Sequence, residues 1–177
     1  MDIADLRPHA AAHGADIGSE SRSEFSEALG DEFLIAACIA LFVAGVFTGA
    51  AFYINFAAQP ARLALDDRAL LAEWKLAYRR GFAMQATLAL LGFLLGTWAW
   101  HITGKAAFLD GALLLFANWP WTLFGMLPIN KRLLATHVED AGPVTRSMLQ
   151  KWNYLHGVRT LLGFLSGLAF LFGIACK

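Results

Sequence analysis

Four residues in the last apolar segment form the pattern with the clearest chemical meaning in this chain. They are Trp152, His156, Arg159 and Gly163. Their spacings of four, three and four place them on one face of an α-helix. A histidine exchanges protons near neutral pH, and an arginine stabilises an oxygen that becomes negatively charged during a reaction. The pair favours a pocket, while an interfacial anchor is the alternative for Arg159 and an ordinary interfacial position the alternative for His156.

Other polar and aromatic residues are expected at the same level, because antiparallel helices present the same ends there. Asn55 lies near the end of one apolar segment, Tyr78 before the next, and Asn130 after a third. Asparagine and tyrosine side chains orient a carbonyl or phenol. Trp74 and Trp152 would line a flat apolar slot, although tryptophan belts at membrane interfaces are a commoner reason for such residues.

These residues must be positioned by membrane helices. Of the 177 residues, 58% are hydrophobic and the mean hydropathy is +0.52. Four apolar runs meet the length of about 20 residues that a spanning helix needs, at 33–58, 82–100, 106–127 and 158–176. The predicted fold is all-α, a polytopic four-helix bundle with up-down-up-down topology.

The first 32 residues differ in composition from the rest. They carry eight acidic residues against two arginines and are rich in alanine and serine, which predicts a disordered acidic tail. They lack the pattern of a cleavable signal peptide. The predicted domains are therefore a tail at 1–32 and a transmembrane domain at 33–177.

Basic residues are distributed unevenly along the chain. Ten lie in the 59–80 and 128–159 segments, and four lie elsewhere. The positive-inside rule then predicts two long cytoplasmic loops with both termini outside, in the plasma (inner) membrane.

Glycine spacing predicts close helix packing. The pairs are Gly45 and Gly49, Gly92 and Gly96, and Gly163 and Gly167. Glycines four apart let two helix backbones approach in lipid, where no hydrophobic effect drives helix association. We expect them to pack the bundle, and a homo-oligomer through such faces is a further expectation. Cys38 and Cys176 are expected to be small buried residues rather than a disulfide.

The two halves of the chain resemble a diverged duplication. In each half a helix ends at a proline, Pro60 or Pro128, and a later segment begins with Leu-x-x-Trp-x-x-x followed by Tyr78 or His156. If the halves are related by an axis along the membrane normal, Tyr78 and His156 lie at equivalent depths. Pro120 predicts a kink in the third helix.

The sequence lacks the residue patterns of several common metal, nucleotide and cofactor sites. Within the four predicted spans there is no Cys-x-x-Cys, no His-x-x-x-His pair and no pair of carboxylates, so no metal site is expected there. No phosphate loop or dinucleotide fingerprint is present. We expect no tightly held cofactor and no nucleic-acid partner.

The order and spacing of these motifs resemble those of the anthrone oxygenase-like family of small four-helix membrane proteins. The motifs are Pro60, Trp74-x-x-x-Tyr78-x-x-Gly81, Met126-Leu-Pro128-Ile-Asn130 and Trp152-x-x-x-His156-x-x-Arg159. The resemblance covers about residues 33 to 175, and the Pro-x-Asn followed by Trp-x-x-x-His-x-x-Arg is its most specific part.

The resemblance implies oxidation of an anthrone, or a similar aromatic ketone, to a quinone with O₂ and no known cofactor. His156 would remove a proton, while Arg159 and Asn130 would stabilise the oxyanion. Trp74, Tyr78, Trp152 and Asn55 would bind the substrate. The alternative is a non-enzymatic membrane protein that binds or transports a small molecule or assembles with partners. The outer half offers few polar groups for a transport path, which favours a one-sided pocket.

Overall fold

A computed structural model describes Gly30, Glu32 and residues 34–176 as a bundle of four long helices. They are α1 (Leu34–Leu63), α2 (Asp67–Thr103), α3 (Ala106–Ala135) and α4 (Pro143–Ala175). All four are long and apolar enough to cross a membrane, and no strand occurs in the part of the chain that the structure describes. The prediction of an all-α, four-helix membrane protein is confirmed. The predicted disordered tail lies almost entirely outside the described residues.

The helices extend well beyond the predicted spans, so the prediction of two long loops is wrong. Residues 67–80 belong to α2 and residues 143–157 to α4, and the connections are only residues 64–66, 104–105 and 136–142. The middle of the last connection is a short 3₁₀ turn, Val138–Asp140. Alanine, leucine, lysine and arginine favour helix outside the bilayer as well as inside it. The basic residues therefore lie on helix ends.

Two π-helical turns interrupt the helices near one end of the bundle. They span Ile54–Ala58 in α1 and Trp121–Met126 in α3. Each ends two residues before a proline, Pro60 or Pro128. Proline donates no backbone hydrogen bond, and its ring clashes with the carbonyl four residues earlier, so the preceding turn widens. Both halves of the chain thus have a π-helical turn before a proline, a similarity that agrees with the predicted duplication.

A second irregularity in α3 surrounds Pro120. Residue 117 forms a turn between two helical segments. The Asn118 amide nitrogen donates to the Leu115 carbonyl oxygen at 3.1 Å. The side chain thus satisfies a carbonyl near the disturbed turn.

Glycines allow the far half of the bundle to pack tightly. A Cβ at Gly96 would lie 2.6 Å from the Phe170 ring, one at Gly111 2.5 Å from the same ring, and one at Gly173 2.8 Å from the Phe108 ring. Phe108 and Phe170 are fully buried. These glycines therefore accommodate the two rings at the centre of the core.

The glycine prediction is only partly right. Gly92, Gly96 and Gly163 pack against other helices, but no atom lies within 4 Å of a Cβ built at Gly45, Gly49 or Gly167. Gly45 and Gly49 lie on the outer surface of α1. A homo-oligomer through that surface stays a prediction.

Cys38 and Cys176 are exposed free thiols, so the expectation that they are buried is wrong.

Gly163 and Gly167 offer a matched pair of substitutions on α4. We expect Gly163→Ala to lower stability by about 1–3 kcal/mol, because its Cβ would lie 2.6 Å from Phe47 and 2.8 Å from the Thr48 hydroxyl. Gly167→Ala meets open space and should leave stability equal or slightly higher, because alanine favours helix. Thermal unfolding in detergent measures both. Equal unfolding temperatures for the two variants would contradict the packing.

Arg146 of α4 holds the connection between α1 and α2. Its guanidinium pairs with Asp67 and donates to the carbonyl oxygens of Leu63 at 2.7 Å and Leu65 at 2.6 Å. It thereby satisfies carbonyls at the C-terminal end of α1. On the other side of the turn, the Asp66 carboxylate accepts from the backbone amides of Arg68 and Ala69, both at 3.0 Å. The Ala69 amide is the main reason why the Asp66 pKa lies below its usual value.

We expect Arg146→Ala to destabilise the bundle by about 1–3 kcal/mol, since it removes three charge-assisted contacts at once. Arg146→Lys should restore only part of this, because an ammonium lacks the planar fork that reaches two carbonyls and a carboxylate. Denaturant unfolding monitored by tryptophan fluorescence measures the loss. The exposed Arg79, replaced by alanine, serves as the control and should unfold like the parent.

Candidate active site

A cavity of about 160 Å³ lies inside the bundle near the end that carries the basic residues. All four helices contribute to its wall. The lining residues include Ile54 and Arg62 of α1, Trp74, Tyr78, Gly81, Phe82 and Gln85 of α2, Thr122, Met126 and Asn130 of α3, and Trp152, His156 and Arg159 of α4. Six of the seven residues that the sequence predicted for the site therefore line one cavity. Asn55, the seventh, lies behind His156.

Two stacked aromatic pairs form the walls of the cavity. The Trp74 and Tyr78 rings stack with centroids 4.8 Å apart and planes at 18°. The Trp152 and His156 rings stack with the same centroid distance and planes at 27°. Trp74 and Trp152 meet edge to face at 5.9 Å. Tyr78 and His156 thus each stack on the tryptophan four residues before them, and their equivalence through a duplication stays a prediction.

Asn55 fixes the orientation of the His156 ring. The Asn55 amide nitrogen donates to the Asn153 carbonyl oxygen at 2.8 Å, and a carbonyl only accepts. The Asn55 amide oxygen must then face His156 Nδ1, 2.8 Å away, and it also accepts from the Thr160 hydroxyl at 2.7 Å. Nδ1 therefore carries the ring proton and Nε2 carries the lone pair.

This arrangement changes the expected place of Asn55. The sequence predicted contact with the substrate, but Asn55 does not line the cavity and instead holds His156 from behind. The π-helical turn of α1 includes Asn55. The local widening of α1 therefore helps to position the histidine.

Asn130 and Trp152 are joined across α3 and α4. The Trp152 indole nitrogen donates to the Asn130 amide oxygen at 2.9 Å, and both side chains are buried. The Asn130 amide nitrogen lies close to the Tyr78 hydroxyl, to which it can donate one of its two hydrogens, and the second hydrogen is left for another acceptor at the cavity wall. Asn130 can therefore donate to an oxygen of a bound molecule.

The Arg159 side chain lies inside the bundle and does not face outward. It is 6% exposed, its guanidinium carbon lies 5.7 Å from the centre of the Phe47 ring, and His156 beside it is 1% exposed. Across Gly30, Glu32 and residues 34–176, the two ion pairs are Arg62 with Glu73 and Arg146 with Asp67, so Arg159 has no carboxylate partner there. A buried guanidinium without a counter-ion favours binding of an anionic group.

Three buried donors around the cavity lack an acceptor in the described structure. They are the indole nitrogen of Trp74, the amide nitrogen of Gln85 and Nε of Arg159. A buried donor without a partner costs about 1–3 kcal/mol, so such groups normally face a ligand or a water molecule. The cavity therefore suits a molecule that presents acceptor oxygens to these donors.

Several cavity residues were not predicted as site residues. Arg62 is half-buried and belongs to α1, although the sequence placed it in a loop. Gln85 is a buried amide within a span, which is the kind of signal that identifies site residues in membrane helices. Thr122 and Met126 could not be identified from the sequence, because they face the cavity only as a result of the π-helical turn of α3.

A smaller cavity of about 30 Å³ adjoins the first one between α2 and α3. Phe82, Thr122 and Arg159 line both cavities. Asn118 also lines the smaller cavity. Its amide nitrogen donates to backbone carbonyls of α3, and its amide oxygen has no hydrogen-bond partner in the described structure. The volume admits a water molecule or a diatomic gas.

The described residues contain no group of three or more His, Cys, Asp or Glu side chains that could hold a metal ion. The cavity residues are instead amides, aromatic rings and guanidinium groups. Activity without a cofactor stays a prediction.

Fold and site together define a polytopic four-helix membrane protein with a donor-rich, aromatic-walled cavity at one end of the bundle. The family model of anthrone oxygenase matches residues 74–169, more than half of the chain, and the chain belongs to this family. The match contains every predicted site residue except Asn55. Comparisons with curated proteins and with solved structures gave no match.

The tautomer of His156 can be measured directly. In protein labelled with ¹⁵N-histidine, we expect ring shifts of a neutral His156 protonated on Nδ1, because Asn55 offers only an acceptor there. A His156→Gln sample identifies its signals among those of the five histidines. Asn55→Ala should release this preference and lower stability by about 1–3 kcal/mol. Thr160→Val serves as the control that keeps the Asn55 contact, and an Nε2-protonated ring in the parent protein would contradict the assignment.

Proposed function

We propose that this protein is a cofactor-independent oxygenase that converts an anthrone or a similar aromatic ketone to the quinone in the membrane. The observation that carries the proposal is the arrangement of His156 Nε2, whose tautomer Asn55 sets, beside an unpaired Arg159 in an apolar cavity. This pairs a base with a group that stabilises an oxyanion.

The size of the cavity indicates how a substrate would bind. A cavity of about 150 Å³ is known to hold benzene, so the 160 Å³ here encloses about one aromatic ring. The wall residues of α3 and α4 are buried, whereas Phe82 is exposed and Gly81 half-buried, so the cavity opens on the side of α1 and α2. The reacting ring would lie between Trp74 and Trp152, and the remaining rings would extend past Gly81 and Phe82.

The first step is proton transfer. His156 Nε2 takes a proton from the methylene carbon between the aromatic rings, and the electron pair of the broken C–H bond moves into the rings. The ketone oxygen becomes an oxyanion, which accepts hydrogen bonds from Arg159 and from the Asn130 amide. Because this charge exists only after the proton has moved, the donors stabilise the transition state more than the substrate.

The second step consumes O₂. The electron-rich carbon transfers electrons to O₂ and forms a C–O bond, and the proton on His156 completes a hydroperoxide. Loss of the remaining C–H proton to His156 then breaks the O–O bond, forms the second ketone and releases hydroxide. Hydroxide takes the proton from His156 and leaves as water. One anthrone and one O₂ thus give one quinone and one water.

The orientation of the protein is part of this proposal. The cavity lies at the end of the bundle with the basic residues, which the positive-inside rule places in the cytoplasm, with both termini outside. An aromatic substrate and O₂ both partition into lipid, so both reach a cavity that is open to the side.

The test is oxidation of emodin anthrone by the purified protein in detergent, followed spectrophotometrically against a sample without protein that measures autoxidation. We expect turnover above autoxidation, and a loss of at least about 100-fold in His156→Ala, the size typical of a missing general base. Arg159→Lys should retain more activity than Arg159→Leu, because a charge remains near the oxyanion.

His101→Ala is the matched control, since His101 is exposed and lies at the other end of α2. It should oxidise the substrate like the parent protein. Full activity of His156→Ala would exclude His156 as the base. Binding of the anthrone, seen as quenching of tryptophan fluorescence, without any turnover would favour the non-enzymatic alternative.

A further inference from the structure

A groove on the outer surface of α3 and α4 is separate from the active-site cavity. It consists of two adjoining depressions that share Gly125, of about 190 Å³ and about 580 Å³. The first is lined by Gly125, Pro128, Ile129, Arg132, Lys151 and Leu155. The second is lined by Ala117, Pro120, Trp121, Phe124, Gly125, Val158 and Leu162. We name the two together the α3–α4 groove.

The π-helical turn of α3 shapes this groove. Gly125 lies within the turn and has no side chain to fill the space, and the Trp121 ring lies 3.4 Å from where its Cβ would be. The Trp121 indole nitrogen donates to the Leu155 carbonyl oxygen of α4 at 2.9 Å. The groove therefore has a fixed floor that joins the two helices.

Charge in the groove is confined to one end. Arg132 and Lys151 are exposed there, and neither has a carboxylate partner among the residues that the structure describes. The other end is apolar and includes Phe124, which is 83% exposed. From Arg132 to Ala117 the groove follows 15 residues of helix, about 22 Å at 1.5 Å per residue. This matches half of the roughly 30 Å hydrocarbon core plus part of the headgroup region.

We propose that the α3–α4 groove is a binding site for one anionic phospholipid, with its phosphate at Arg132 and Lys151 and an acyl chain along Trp121, Phe124 and Val158. Basic pockets between membrane helices on the cytoplasmic side bind anionic headgroups in this way. The groove between α1 and α4 provides the contrast. It is lined by Asn55, Asn153, Thr160 and aromatic residues but by no cation, so it gives a headgroup no anchor. The proposal does not depend on the oxygenase activity.

The test is titration of the purified, full-length protein in neutral detergent with phosphatidylglycerol, beside phosphatidylcholine of the same chains, observed by native mass spectrometry and thermal unfolding. We expect the anionic lipid to bind about 30-fold more tightly, since each basic residue near an anionic headgroup contributes roughly a fivefold factor. It should also raise the unfolding temperature. Inorganic phosphate alone should have neither effect, because it cannot occupy the apolar end.

Two double variants separate this groove from general surface charge. Arg132→Gln with Lys151→Gln should abolish the preference for phosphatidylglycerol, whereas Arg79→Gln with Arg80→Gln on α2 should keep it. All four side chains are exposed, so both variants are expected to fold, and gel filtration checks this. Equal binding of the two lipids by the parent protein, equal loss in both double variants, or protection by phosphate alone would each overturn the proposal.

Discussion

The burial of polar side chains in a bundle surrounded by lipid is the constraint on which the rest of this structure depends. Within hydrocarbon, an unpaired amide or guanidinium has no water to bind, so each must find a partner in the protein or in a ligand. Asn55 meets this requirement fully, with its nitrogen on Asn153 and its oxygen on His156 and Thr160. Trp74, Gln85 and Arg159 do not, and all three surround the same cavity. Buried polar groups without a hydrogen-bond partner at the cavity distinguish the site from the packed core.

Two different devices organise the two ends of the bundle. At the far end, Gly96, Gly111 and Gly173 let the helices close around the buried rings of Phe108 and Phe170. At the end with the basic residues, prolines widen α1 and α3 into π-helical turns, and large aromatic rings hold the helices apart. A tightly packed half therefore adjoins a half that encloses a cavity. Arg146 closes this end by tying the turn between α1 and α2 to α4.

The π-helical turn of α3 contributes residues both to the active-site cavity and to the α3–α4 groove. Thr122 and Met126 face the cavity, while Trp121 and Gly125 face the groove on the outside. A single residue inserted into the helical repeat is enough to present side chains in both directions. Only the helix α3 thus separates the α3–α4 groove from the active-site cavity. The hydrogen bond from Trp121 to the Leu155 carbonyl fixes α3 to α4 at the residue next to His156.

Much of the fold and part of the site could be predicted from the sequence, because hydropathy and helical periodicity are local properties. Four runs of apolar residues determined four membrane helices, and the spacing of Trp152, His156 and Arg159 determined that they share a face. The short connections were not evident, since the same basic residues that mark the cytoplasmic side are also good helix formers. The sequence also could not show which glycines meet a neighbouring helix, because Gly45 and Gly96 have the same local pattern. Only the tertiary structure placed Asn55 behind His156, left Arg159 without a counter-ion and turned Thr122 toward the cavity. The Thr122 orientation depends on the π-helical turn of α3. The surroundings of Asn55 and Arg159 depend on contacts between helices that are far apart in the chain, and no local pattern encodes such contacts.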